Sequence, residues 1–221
     1  MEDADRRRLF VDRTHHRPLV VEPADRARGS YVGARPPRGV VAQKPRCPAC
    51  GGGLMHQFTL GGDALGDEMC EGRTITMLCC RDIACRMKTR GLVTPSAIVF
   101  VVHDESERAA EPTEWDGPAE GRGLALGPTT LDEHPETRVI PTLAKIGGRP
   151  GYINNWGEKQ QASAEEGGRA LLVQWSEEIY PRKMKAGPQP FLFGVVYVWT
   201  RVNPATKVPG LADALAFWQN T

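Results

Sequence analysis

No stretch of this chain stays apolar for long. The longest run, Phe191 to Trp199, has nine residues, whereas a helix needs about 20 to cross a bilayer. Met1 to Arg8 is charged and lacks the apolar centre of a signal peptide, so a cytoplasmic location and no membrane partner are expected. Net charge is nearly absent too. With 28 Lys and Arg against 27 Asp and Glu, the balance of +1 supplies no overall field toward nucleic acid or anionic lipid. Catalytic patterns are missing: there is no GxSxG, no HExxH and no GxxxxGKS/T, which leaves nucleophile-elbow, zincin and P-loop readings without support. The five histidines are scattered, and only His56, beside Gln57 on an expected strand, has a place from which to face a groove.

What the chain has in excess is turn residues. Its 24 Gly and 18 Pro make 42 of 221 residues, about 19% against a usual 12% or so. That frequency of breakers excludes a helical bundle or coiled coil and favours short strands joined by turns. A mainly β fold (β-rich α+β) is expected, of one large domain or two small ones.

Composition divides the chain into four. Residues 1–30 carry seven Arg and six acidic residues and read as a charged, solvated N-terminal arm with one strand at Leu19 to Glu22. Residues 31–102 hold all six cysteines and short apolar strands at His56 to Leu60, Thr74 to Cys79 and Ala97 to Val102. Residues 103–137, with ten acidic residues and only two Arg, read as an acidic linker or loop containing Trp115. Residues 138–221 read as globular again, with strands at Ala170 to Trp175 and Gly194 to Thr200, and a C-terminal helix predicted from Leu211, Leu215 and Trp218. The two globular parts repeat an order of features. Tyr31-Val-Gly33-Ala-Arg35-Pro36 matches Lys145-Ile-Gly147-Gly-Arg149-Pro150, and Leu54 to Phe58 matches Leu171 to Trp175 at Leu, Gln and aromatic. Two similar β-sheet halves from an internal duplication are therefore expected.

Four cysteines fall in a metal-ligand pattern. Cys47-Pro-Ala-Cys50-Gly51 is a knuckle: two residues between thiols let both reach one ion, and the glycine permits the turn. Cys80 and Cys85, four residues apart, form the second pair. Cys79 competes with Cys80, but neighbours on a strand point to opposite faces, and spacing favours Cys80. Four thiolates, Cys47, Cys50, Cys80 and Cys85, describe a closed structural Zn²⁺ site of the zinc-ribbon kind, while Cys70 reads as a spare thiol. In a reducing compartment such clusters bind metal or do redox chemistry rather than form bridges.

With these residues in place, the chain resembles the programmed-cell-death-2 family and its bacterial YwqG-like relatives. The features that carry the resemblance are Lys145 to Trp156 (KIGGRPGYINNW), Leu171 to Trp175, Cys47 to Gly51 followed by a Gln-bearing strand, Thr76 to Cys85 (TMLCCRDIAC) and Pro190 to Tyr197. It covers roughly residues 30–100 and 140–200, with Ala34 and the acidic stretch as departures. The resemblance implies a duplicated, non-enzymatic β fold with a cysteine-ligated zinc. It also implies capture of one protein client, as a chaperone for a ribosomal protein or as an immunity protein against a toxin. The acidic stretch then suits a basic client, and Gln57, Gln174, Trp175 and Trp156 are candidate partner-binding residues. The alternatives are a nucleic-acid-binding zinc ribbon using Arg81, Arg86, Lys88 and Arg90, and an enzyme with a pocket between the halves around Gln57, Gln174 and Trp175.

Overall fold

The computed structural model describes residues 3–22, 29–33, 35–65, 73–90, 96–104, 121–132, 144–151, 164–165, 167–177, 191, 194–206, 209–210 and 213–219. The fold is mainly β. Its strands are β1 (His15–Glu22), β2 (Tyr31–Val32), β3 (Leu54–Leu60), β4 (Thr74–Cys80), β5 (Ile98–His103), β6 (Arg122–Leu126), β7 (Thr130–Leu131), β8 (Lys145–Ile146), β9 (Arg169–Ser176), β10 (Val195–Arg201) and β11 (Leu215–Gln219). Among the described residues they form one 11-stranded sheet in the order β11-β10-β9-β8-β1-β6-β2-β3-β4-β5, with β7 also paired to β1.

The order is nearly symmetric about β1 and β6. On one side β2, β3, β4 and β5 have 2, 7, 7 and 6 residues, and on the other β8, β9, β10 and β11 have 2, 8, 7 and 5. Each flank starts with a short strand that ends at a glycine in the left-handed region, Gly33 (φ 71°) or Gly147 (φ 70°). Each of those glycines donates its N–H to the next strand, to Gln57 O at 3.0 Å and Leu172 O at 3.1 Å. Side chains are disfavoured at such φ values, which accounts for the repeated glycine. The register does not place Gln57 opposite Gln174 in this match. Tyr31 pairs with Thr59 and Lys145 with Gln174, so Thr59 holds the place of Gln174. Gln57 falls at a bulge between His56 and Phe58.

The sheet curls until its flanks meet. Phe58 on β3 and Trp175 on β9 lie five strands apart in the sheet, yet their ring centroids are 4.7 Å apart. Ser96 Oγ, just before β5, donates to Ala216 O on β11 at 3.5 Å, so the edge strands come close and the sheet nearly closes. The enclosed core contains Leu9, Phe10, Phe58, Met77, Cys79, Trp175, Val196 and Trp218. Both outer faces are covered as well, which is why β3, β4 and β10 are almost uniformly buried rather than alternating. Outside β3–β5 lies a cluster of Val40, Cys47, Leu54, Leu78, Cys80, Cys85, Ala97 and Val101, and outside β9–β11 a second with Leu171, Tyr197, Trp199 and Phe217.

Three expectations are corrected. Within the expected N-terminal arm, the described residues 3–22 are not a solvated arm: Leu9 and Phe10 are 0% and 3% exposed, and β1 joins the two flanks of the sheet. The acidic stretch is not only a linker, because β6 lies within it, wedged between β1 and β2. Nor is the described C-terminal segment helical. Leu215 to Gln219 pairs with Val195 to Trp199 as an edge strand. Phe217 and Trp218 both become buried there, on opposite faces of the strand, a gain that one face of an isolated helical turn cannot match. Gly194 shows how tightly this edge is built. A Cβ there would run into the carbonyl oxygens of Gln219 and Phe191. Gly194→Ala is expected to cost about 1–3 kcal/mol, read as a lower urea midpoint with an unchanged m-value.

Candidate metal centre

The first knuckle is shaped by its glycines. Gly51 takes φ 71°, its N–H donates to Cys47 O at 2.7 Å, and Cys47 N–H donates to Gly52 O at 3.0 Å. The chain then enters β3, whose first residue, Leu54, pairs with Cys80 at the end of β4. That pairing delivers the second knuckle to the first. Arg81 N–H closes onto Gly53 O at 3.0 Å, and Asp82 caps the Ile83–Lys88 helix by accepting Ala84 N–H at 2.8 Å. The helix carries Cys85 back over the strand end. Both knuckles therefore grow from one hairpin of the main sheet.

The Sγ atoms of Cys47, Cys50, Cys80 and Cys85 all lie within 4.8 Å of one another. Cys47 and Cys85 sulfurs are 3.8 Å apart, and Cys50 and Cys80 sulfurs 3.5 Å apart. Four sulfurs held about 2.3 Å from one tetrahedral ion are about 3.8 Å apart, so the set fits a single bound ion. The separations also exceed the roughly 2.05 Å of a disulfide, and all four thiols are free. Cys47, Cys80 and Cys85 are buried, while Cys50 is exposed at the rim. Burial pushes the Cys80 thiol up to about 12 and raises Cys85 as well. Cys50 moves the other way, because the Gly52 N–H and then the Cys80 thiol hydrogen-bond its sulfur. A metal arriving here must displace protons, so binding is expected to release several of them and to weaken in acid.

Strand alternation separates Cys79 from Cys80. Cys80 faces the cluster with Cys47 and Cys85, whereas Cys79 faces the enclosed core, fully buried. Burial raises the Cys79 thiol well above its ordinary range. Cys79→Ala is expected to leave metal content per chain unchanged, measured by elemental analysis of purified protein. Cys70 lies outside the described residues.

Arg86 belongs by sequence to a basic surface patch, but its side chain turns inward. It is 3% exposed and its Nη1 donates to the Cys80 carbonyl. Arg81, Lys88 and Arg90 stay exposed. The proposed partner-binding side chains are likewise withdrawn: Gln57, Gln174 and Trp175 are each 0% exposed. Gln174 Oε1 accepts the Gly151 N–H at 2.8 Å, and Tyr197 OH donates to Gly151 O at 2.7 Å. These two side chains anchor the Gly-Arg-Pro-Gly turn. Trp156 lies outside the described residues.

A buried polar relay crosses β3 to β5. His56 Nδ1 meets Gly33 O at 2.9 Å, His56 Nε2 meets Thr59 Oγ1 at 2.9 Å, Thr59 meets Thr76 at 2.9 Å, and Thr76 meets His103 Nε2 at 2.8 Å. A carbonyl only accepts, so His56 Nδ1 carries a hydrogen, and with that single ring hydrogen Nε2 would accept from Thr59. In that arrangement Thr76 would donate to Thr59 and His103 Nε2 to Thr76. All four side chains are 5% exposed or less, and the relay pairs their hydroxyl and ring nitrogen atoms with one another inside the protein, with His103 beside Gly39 of the Arg38–Gln43 helix.

A second polar centre carried no sequence signal beyond its position in the acidic stretch. Asp132 receives Lys145 Nζ at 3.0 and 3.2 Å and the Arg149 N–H, with His16 Nδ1 3.2 Å away. Burial raises the Asp132 carboxyl, and His16, Lys145 and the Arg149 N–H together outweigh it, so the carboxyl ends below its usual value. Among the described residues no helix is long and apolar enough to cross a membrane. Compared with known proteins, the chain matches no family model and no curated sequence.

Proposed function

We propose that this chain is a non-catalytic β scaffold, stapled by one structural zinc ion, that binds a protein client. The observation carrying the reading is the convergence of four cysteine sulfurs, with no disulfide, at the end of a main-sheet hairpin. Tetrahedral four-sulfur sites suit zinc or iron–sulfur chemistry, and a single-ion site closed by four thiolates leaves no position for a substrate or activated water. When bound, the ion supplies cross-linking of the two knuckles rather than a reactive group. Cys47, Cys50, Cys80 and Cys85 would hold it. The resemblance to the programmed-cell-death-2 and YwqG-like families supports client capture, and the near-symmetric flanks of the sheet agree with a duplicated fold.

The expectation of a basic client drew on the acidic stretch. Of its described acids, Asp132 is occupied by Lys145 and Asp104 sits 3.3 Å from Arg73. Affinity purification of the tagged chain from its own source, after cross-linking, is expected to recover one protein at a stoichiometric level. Recovery of none would contradict the reading.

A further inference from the structure

Two thiol–thiol contacts in the cysteine centre run between the knuckles. Cys50 Sγ lies 3.5 Å from Cys80 Sγ, and Cys47 Sγ 3.8 Å from Cys85 Sγ. Reaching the roughly 2.05 Å of a disulfide takes an approach of about 1.5 Å in the first pair and about 1.8 Å in the second. The knuckles stay side by side without help from sulfur, through the Leu54–Cys80 pairing and the Arg81 N–H on Gly53 O at 3.0 Å. Cys50 is exposed, whereas Cys47, Cys80 and Cys85 are buried, so a small oxidant arriving from water meets the Cys50 sulfur first. Cys79, on the opposite face of β4 and inside the enclosed core, stands apart from this set.

From this we infer that the centre is also an oxidation site for peroxides: Cys50 is oxidised first, and two disulfides between the knuckles, Cys50–Cys80 and Cys47–Cys85, replace the ion. Two equivalents of hydrogen peroxide balance the change. The Cys50 thiolate attacks one peroxide oxygen, the O–O bond breaks, and a sulfenic acid and, with one proton, a water result. The Cys80 thiolate then attacks the Cys50 sulfur, the S–O bond breaks, and a second proton carries the oxygen away as water. Cys47 and Cys85 repeat both steps with the second peroxide. Four thiolates have then lost four electrons, two peroxides and four protons have become four waters, and one Zn²⁺ has left. Bridges within a knuckle would close short loops and leave the knuckles unlinked. Bridges across 30 and 38 residues remove more freedom from the unfolded chain, so the oxidised form keeps a staple. The inference rests on the four-sulfur centre of the proposed function and adds its response to oxidants.

The test exposes the full-length, zinc-loaded chain to hydrogen peroxide at neutral pH. A chromogenic chelator follows zinc release. Remaining thiols are alkylated, and bridged peptides from a non-reducing digest are sequenced by tandem mass spectrometry. Zinc release is expected to rise with peroxide in step with the loss of four thiols per chain, and the bridges found should be Cys50–Cys80 and Cys47–Cys85. The oxidised chain should melt above the chelated, reduced chain, and a thiol reductant with added zinc should restore the starting form. Any other pairing of the six cysteines, or oxidation of Cys50 to sulfinic or sulfonic acid without a bridge, overturns the inference. Running the chelated chain in parallel separates this result from the zinc reading. A chain that takes up no zinc yet forms the two bridges sinks the zinc staple and leaves the oxidation site standing. A chain that holds its zinc and all its thiols through the treatment does the reverse.

Discussion

Cys80→Ser should abolish stoichiometric metal binding and lower the thermal midpoint more than any surface substitution. Structural thiolate–zinc sites in small domains contribute on the order of 10 kcal/mol to folding. In this chain the enclosed core is a separate cluster from the one that holds the cysteines, so the cost is expected to fall on the knuckles and on the outer cluster around Val40, Leu54, Leu78 and Val101. A loss of about 5 kcal/mol in a chain this size corresponds to roughly 10–20 °C in Tm. Two effects add. The ion goes, and the buried Cys85 and Cys47 thiols lose the partner that justified their convergence. Differential scanning fluorimetry of Cys80→Ser, with a strong chelator on the parent chain as the parallel arm, checks this. Equal Tm values for parent, chelated parent and Cys80→Ser would contradict it. Cys79→Ala, one residue away on the opposite face, should keep its metal and so separates loss of a ligand from loss of a buried sulfur.

The second large effect is expected at Asp132. Asp132→Asn leaves Lys145, 3% exposed, without its carboxylate. Breaking a buried ion pair by removing one partner costs about 3–5 kcal/mol, because the other charge stays buried without compensation. Burial already depresses the Lys145 ammonium even with Asp132 present. The pH dependence follows from the depressed Asp132 carboxyl. A carboxyl held below its unfolded value, about 3.9, contributes full stability above that value and loses it as pH falls toward the folded one. The gap between parent and Asp132→Asn, measured by urea unfolding, should therefore be widest near neutrality and narrow below about pH 4. A gap that does not change with pH would contradict the assignment. Because Asp132 also takes the Arg149 N–H, the substitution loosens the turn that Gln174 and Tyr197 hold through Gly151.

Legibility of the sequence varied with the physics behind each signal. The long strands were readable because β-branched and aromatic runs such as Val195 to Thr200 carry strand preference locally. The thiolate set is readable because ligand spacing is a local constraint: alternation on β4 admits only one of Cys79 and Cys80, and spacing favours Cys80, which the structure places in the outer cluster. The N-terminal segment reads as a solvated arm because few of its described residues, Leu9, Phe10 and Leu19 among many charges, enter the core, too few to outweigh composition. β6 was hidden in an acidic stretch because a strand flanked on both sides needs few apolar residues of its own. Leu215 to Gln219 satisfied a helical spacing and a strand alternation at once, and a free edge on β10 decided between them. Gln57, Gln174 and Trp175 suggested a binding surface because polar and aromatic residues do so in sequence. Burial is a tertiary fact, and it makes Gln174 an anchor for Gly151 and Trp175 a partner for Phe58.

The central claim is that one ion is held by Cys47, Cys50, Cys80 and Cys85. X-ray absorption at the zinc edge of the purified chain tests it most directly. The account predicts one zinc per chain with four sulfur neighbours at about 2.3 Å. Absence of zinc, or a first shell containing nitrogen or oxygen, would contradict it.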